Sequence, residues 1–173
     1  KVIEAAIRKA AKKPTGELTK ADFEKVTRLD LGGNKLTELP KDLEKLTQLE
    51  VLFLNGNQLT DVPKGLEKLD QLKKLALDGN QLTDVKGLEK LTQLKALALS
   101  NNKLTEVPKS LEKLDQLKEL YLYGNQLTDV KGLEKLTQLE ELVLADNPDL
   151  TKAQIAELQK ALPNCEIRSN PTK

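Results

Sequence analysis

Leu117–Leu127, LKELYLYGNQL, is one copy of a unit with the form LxxLxLxxNxL. The same unit returns at Val26–Leu36, Leu49–Leu59, Leu72–Leu82 and Leu94–Leu104, then with a two-residue gap after its asparagine at Leu139–Leu150. Its asparagines, Asn34, Asn57, Asn80, Asn102, Asn125 and Asn147, follow one another at steps of 23, 23, 22, 23 and 22 residues. A period of this size is one supersecondary unit, which buries its apolar face only by stacking on a neighbour. The chain of 173 residues is therefore expected to form one elongated solenoid with a continuous core.

Within each unit the LxL triplet has period two, which sends both leucines to one face and the residue between them to the other. Each triplet thus predicts a short parallel strand. The asparagine follows where the chain must turn, and a buried amide there can satisfy backbone groups of adjacent turns that would otherwise lack partners. The six asparagines are read as structural rather than as a ligand row. Return segments come in two lengths: Leu39-Pro40, Val62-Pro63 and Val107-Pro108 introduce the longer, and Val85-Lys86-Gly87 and Val130-Lys131-Gly132 the shorter. Proline suits the first turn of a helix, so these segments are expected to be turns or single 3₁₀ turns whose charges form a solvated outer face.

These residues resemble a bacterial leucine-rich-repeat protein with repeats of 22–23 residues, over most of the chain. The resemblance implies an α/β horseshoe: a parallel sheet of about seven short strands on the concave face, turns and 3₁₀ segments on the convex face, and a helical N-terminal cap. Residues 1–13 place Val2, Ile3, Ala6, Ile7 and Ala10 at helical spacing, ended by Pro14 and Gly16. Thr19 with Asp22 reads as an N-cap and capping-box variant, Leu18 and Phe23 as its hydrophobic staple, for a second helix running to about Val26. Two helices leading into KVTRLDL are similar to the cap of internalin-type proteins. Near the other end, Leu150, Thr151, Gln154 and Ile155 supply staple, N-cap and capping box for a helix over 151–162. Leu162, Cys165, Ile167 and Asn170 then fall on positions one, four, six and nine of the template, predicting a seventh strand with Cys165 at an inward leucine position. The expected divisions are 1–25 for the N-terminal cap, 26–147 for the repeats and 148–173 for a C-terminal capping repeat.

Composition removes several functions. Lys plus Arg (28) nearly equals Asp plus Glu (27), which leaves no overall field to attract a nucleic acid or an anionic membrane. Histidine is absent and Cys165 is alone, so no triad with a histidine base, no intramolecular disulfide and no His/Cys metal site can be assembled. No EF-hand or phosphate-binding glycine loop occurs, and no cofactor is expected. No apolar run approaches the ~20 residues of a membrane-spanning helix. KVIEAAIRKAAKK lacks a signal-peptide core; without an initiator methionine the start reads as a processing boundary, and localisation is not assigned. The chain is expected to be non-enzymatic and monomeric.

Framework segments repeat almost verbatim, LTDVKGLEKLTQL being identical at 82–94 and 127–139. Variation concentrates in columns that face away from the leucine ladder. The residue between the strand leucines is Asp30, Phe53, Ala76, Ala98, Tyr121, Val143 and Glu166. Two places earlier stand Arg28, Val51, Lys74, Ala96, Glu119, Glu141 and Asn164; two places later stand Gly32, Asn55, Asp78, Ser100, Tyr123, Ala145 and Arg168. Three of the four aromatics, Phe53, Tyr121 and Tyr123, lie here, and Tyr is a frequent anchor of binding surfaces. Tyr121 and Tyr123 would sit about 7 Å apart, flanked at about 4.8 Å by strands carrying Ala98 and Ser100, and Val143 and Ala145, to make a shallow trough. β-Propensity alone would also favour aromatic and β-branched residues on a sheet. Glu119, Glu141, Asp146 and Glu166, offset mainly by Arg168, suggest a partner with a basic rim.

The resemblance and these columns together imply a recognition module for a protein or peptide, with Phe53, Tyr121, Tyr123, Val51, Lys74, Ala98, Ser100, Glu119, Glu141 and Val143 as candidate contact residues. A passive spacer within a longer secreted or surface protein, or a consensus-like engineered scaffold, are the alternatives.

Overall fold

Leucine alternation produces the expected sheet. The computed structural model describes residues 1–173. Its strands are β1 (Arg28–Asp30), β2 (Val51–Phe53), β3 (Lys74–Ala76), β4 (Ala96–Ala98), β5 (Glu119–Tyr121), β6 (Glu141–Val143) and β7 (Glu166–Arg168). They pair in sequence order, every pairing parallel, in one curled, unclosed sheet. Leu29, Leu52, Leu75, Leu97, Leu120 and Leu142 form one buried row, and Leu31, Leu54, Leu77, Leu99, Leu122 and Leu144 the next. Since burying a leucine side chain stabilises by roughly 1.5–3 kcal/mol, this repeated ladder is the main source of folding energy.

Each buried asparagine staples two repeats. Asn102 donates through Nδ2 to the carbonyls of Leu77 and Leu99, both at 3.0 Å, and accepts from the amide of Leu82 at 3.0 Å. Asn57, Asn80, Asn125 and Asn147 repeat the pattern. Asn34 has no preceding repeat and donates only to Gly32, at 2.9 Å.

On the convex side, 3₁₀ turns occupy Lys41–Lys45, Leu66–Lys68, Leu88–Lys90, Lys109–Lys113 and Leu133–Lys135. Proline does not set their length. The return segment after Pro63 belongs to the longer class, but its 3₁₀ turn covers three residues rather than five because Gly65, at φ +89°, leaves the right-handed path where Asp42 and Ser110 continue it. Gly87 and Gly132 do the same.

At the N-terminus α1 (Val2–Ala10) packs Ile7, with Ala11 beyond its end, into the core beside β1. The second helix, α2 (Lys20–Phe23), ends three residues before Val26. Lys25 and Val26 instead tighten into i→i−3 bonds to Asp22 and Phe23, because Val26 must already occupy the first buried position of the repeat. The capping box forms as expected, Thr19 Oγ1 accepting from Asp22 N and Asp22 Oδ2 from Thr19 N. At the other end α3 (Lys152–Ala161) carries the Thr151–Gln154 capping box.

Candidate binding surface on the concave sheet

The residues between buried leucines emerge on the concave face in three rows. Strand register places Arg28, Val51, Lys74, Ala96, Glu119, Glu141 and Glu166 in the first row. Asp30, Phe53, Ala76, Ala98, Tyr121, Val143 and Arg168 form the second. Beyond the strand ends follow Asn55, Asp78, Ser100, Tyr123 and Ala145, kept in step by bonds such as Asn101 N to Tyr123 O at 2.7 Å.

The seventh strand departs from the expected alignment by two residues. Ile167, rather than Cys165, stands opposite Leu142, which moves Glu166 beside Glu141 and Arg168 beside Val143. Cys165 still points inward and is buried, but in the role of Leu139: its amide bonds to Leu162 O as that of Leu139 bonds to Leu136 O. The path from this position to the strand is one residue shorter than in the other repeats. Burial pushes the Cys165 thiol pKa up, as expected of a packed rather than reactive cysteine. Asn170 therefore does not join the buried asparagines; it is exposed and bonds to Asp146 at 2.7 Å.

That shift also changes the electrostatics. Arg168 pairs with Glu141 at 3.1 Å and with Glu166 at 2.9 Å. One arginine thus meets two of the four carboxylates, while Glu119 and Asp146 take part in no ion pair, and the acidic group keeps a net negative charge.

Along the second row the side chains run large, small, small, large: Phe53, Ala76, Ala98, Tyr121. A depression of about 120 Å³ lies between the two rings, with Ala76, Ala98 and Ala96 as its floor and Lys74 and Glu119 along its edge. The trough expected beside Tyr121 and Tyr123 is accordingly walled by Tyr121 and Phe53. Arg28 stacks over the Phe53 ring at 4.6 Å from its centre, a cation–π contact that fixes the far wall. Arg28, Ala76 and Ala96 were not singled out as site residues from sequence; the signal for them was the large–small–small–large order, readable only once register is known.

Tyr121 is held by its neighbours. Its hydroxyl contacts Glu141 Oε2 at 3.0 Å and Glu119 Oε2 at 3.3 Å, and desolvation followed by these carboxylates pushes its pKa up to about 12. Tyr123 lies outside the trough, 40% exposed, with the Asp146 carboxylate raising its pKa. Val143 adjoins Tyr121 on β6, Val51 adjoins Lys74 in the first row, and Ser100 donates its amide to Asp78 at 3.1 Å. Burial raises the Asp78 pKa against that bond. No group of three or more His, Cys, Asp or Glu side chains has metal-binding geometry.

Larger depressions lie elsewhere. One of about 540 Å³ runs between α1 and the first convex turn, and one of about 800 Å³ follows the return segments around Pro40 and Pro63. The second is lined mostly by residues that recur from repeat to repeat, so it lacks the chain-specific pattern of the concave rows.

The leucine rich repeat family model matches residues 24–82 and 92–148. No curated protein matches the chain. Among solved structures, an LRR protein of Leptospira interrogans is 37% identical with a TM-score of 0.76, covering 84% of this chain and 38% of its own. The functional domain of InlJ from Listeria monocytogenes, described as including a cysteine ladder, is 26% identical with a TM-score of 0.78, over 99% of this chain and 37% of its own. An internalin C2 of the same organism shares the fold at a TM-score of 0.57 and 23% identity, over 98% of this chain and 92% of its own. The chain thus spans well under half the length of the first two. Repeat period, strand register, asparagine staples and the family match agree: the chain belongs to the leucine-rich-repeat family, and its fold is similar to those of bacterial LRR proteins and internalins.

Proposed function

We propose that this chain is a non-catalytic recognition module that binds a protein or peptide on its concave face, with Phe53 and Tyr121 as paired anchors and Tyr123 as a neighbouring contact. Family membership and the internalin-like fold support a protein-interaction repeat module in general. The observation that carries the finer reading is the trough itself: two aromatic walls over an alanine floor, on the one face where otherwise near-identical repeats differ. An open sheet encloses too little for a small metabolite, whereas anchors three strands apart, roughly 14 Å, suit a macromolecular surface. Val51, Lys74, Ala98, Ser100, Glu119, Glu141 and Val143 would form the surrounding contact area.

One observation favours the spacer reading instead: Tyr121 has its hydroxyl satisfied within the sheet by Glu119 and Glu141. Titration of an isolated partner decides between them. Tyr121→Ala with Tyr123→Ala should weaken binding by on the order of 2 kcal/mol or more, and a convex control, Lys90→Ala, should not. Equal losses in both, or none in the first, would move recognition off the concave face.

A further inference from the structure

The first concave row is electrically ordered. From β1 to β7 it reads Arg28, Val51, Lys74, Ala96, Glu119, Glu141, Glu166, cations at one end and carboxylates at the other. Most of these charges are already engaged: Arg28 lies on Phe53, and Glu141 and Glu166 share Arg168. Lys74 and Glu119 are not. Lys74 is exposed and takes part in none of the ion pairs, while Glu119 has only the Tyr121 hydroxyl at 3.3 Å. Both line the trough, on either side of Ala96. Two strand spacings, about 10 Å, separate their backbones, and the two side chains do not meet in an ion pair.

From this arrangement we infer that the trough takes a dipolar peptide segment running across the strands, with an apolar side chain over Ala76 and Ala98, an acidic residue toward Lys74 and a basic residue toward Glu119. The inference rests on the concave-face reading above and names the partner's chemistry. Exposed charges of this kind add little affinity, but they reject wrong partners: a uniformly charged segment would set one of its charges against a like charge. The apolar centre supplies contact area and the two charges fix which end lies over which repeat.

Selection from displayed random dodecapeptides tests this, using the parent, Lys74→Glu, Glu119→Lys, Ala98→Lys and the convex control Lys90→Glu. The parent pool should be enriched in peptides with an apolar residue flanked by an acidic residue on one side and a basic one on the other. Lys74→Glu should select basic flanks on both sides, Glu119→Lys acidic flanks on both, and Lys90→Glu should match the parent. A synthetic peptide from the parent pool should bind either charge variant about tenfold more weakly. Enrichment of apolar peptides without flanking charges, bound equally by both charge variants, would overturn the dipolar inference and leave concave recognition standing. Binding that survives Ala98→Lys, or no enrichment at all, would overturn both.

Discussion

The Tyr121 hydroxyl meets Glu141 Oε2 at 3.0 Å across the β5–β6 pairing. A phenol on an open sheet would otherwise turn freely; here it is tied to the next repeat, and Arg168 holds the same glutamate from the strand beyond. The wall of the trough is thus fixed before any partner arrives, which lowers the ordering cost of binding.

Tyrosine ionisation reports the desolvation of that phenol first and its tie to the carboxylates second. Tyr121 is raised from 10.0 to about 12, and Tyr123 is raised as well. In ultraviolet titration the folded chain should ionise later than the unfolded chain, and the most delayed step should vanish in Tyr121→Phe. The unfolded state loses its phenolic proton near 10 and the folded state only near 12, so this group's linkage lowers stability as pH rises through that interval.

Asp22 has the opposite sign. Hydrogen bonds from Lys13, from the Thr19 amide and from the Thr19 hydroxyl hold its carboxyl well below the usual carboxylate range. The stability it contributes is complete above 3.8 and is lost as pH falls through the depressed folded value. Acid titration should therefore loosen the N-terminal cap, seen as faster amide exchange in α1 and α2, and Asp22→Asn should show that loosening already at neutral pH.

The ladder makes a quantitative claim. Leu99 is fully buried, and Leu99→Ala should cost about 2–5 kcal/mol as a cavity. Asn102→Ala strands the Leu82 amide and takes one of two amide donors from each of the Leu77 and Leu99 carbonyls, which keep Asn80 and Asn125, costing roughly 1–3 kcal/mol. Denaturant melts of both variants measure this; curves superimposed on the parent would contradict the assignment of these positions.

The sheet was legible in the sequence because leucine alternation and the asparagine period report the same geometry. The end of the sheet was less so. A two-residue shift preserves period-two parity, so Cys165 and Ile167 face inward under either alignment. Only the shortened path into β7 separates the two, and it moves Arg168 onto Glu141. Similarly, Pro63 does introduce one of the longer return segments, but the left-handed Gly65 limits the 3₁₀ turn within it to three residues, which the proline did not reveal. Phe53 and Tyr121 were visible as separate aromatics; that they face each other over Ala76 and Ala98 is a property of four strands in register.

That alanine floor supplies the last prediction. Ala76 and Ala98 are partly exposed on strands, where β-branched residues have the higher propensity on a scale spanning about 1 kcal/mol. A sheet under selection for stability alone would gain from valine at either position, whereas a sheet that must receive a side chain between Phe53 and Tyr121 would be blocked by it. Ala98→Val should leave the melting midpoint unchanged or raised, while affinity for a concave-face ligand falls by at least about tenfold, or 1.4 kcal/mol. Calorimetry and titration on the same preparation give both numbers. Retained affinity in a stabilised variant would mean that the space between the rings is not used, and Phe53 and Tyr121 would then be ornaments of strand propensity rather than walls of a site.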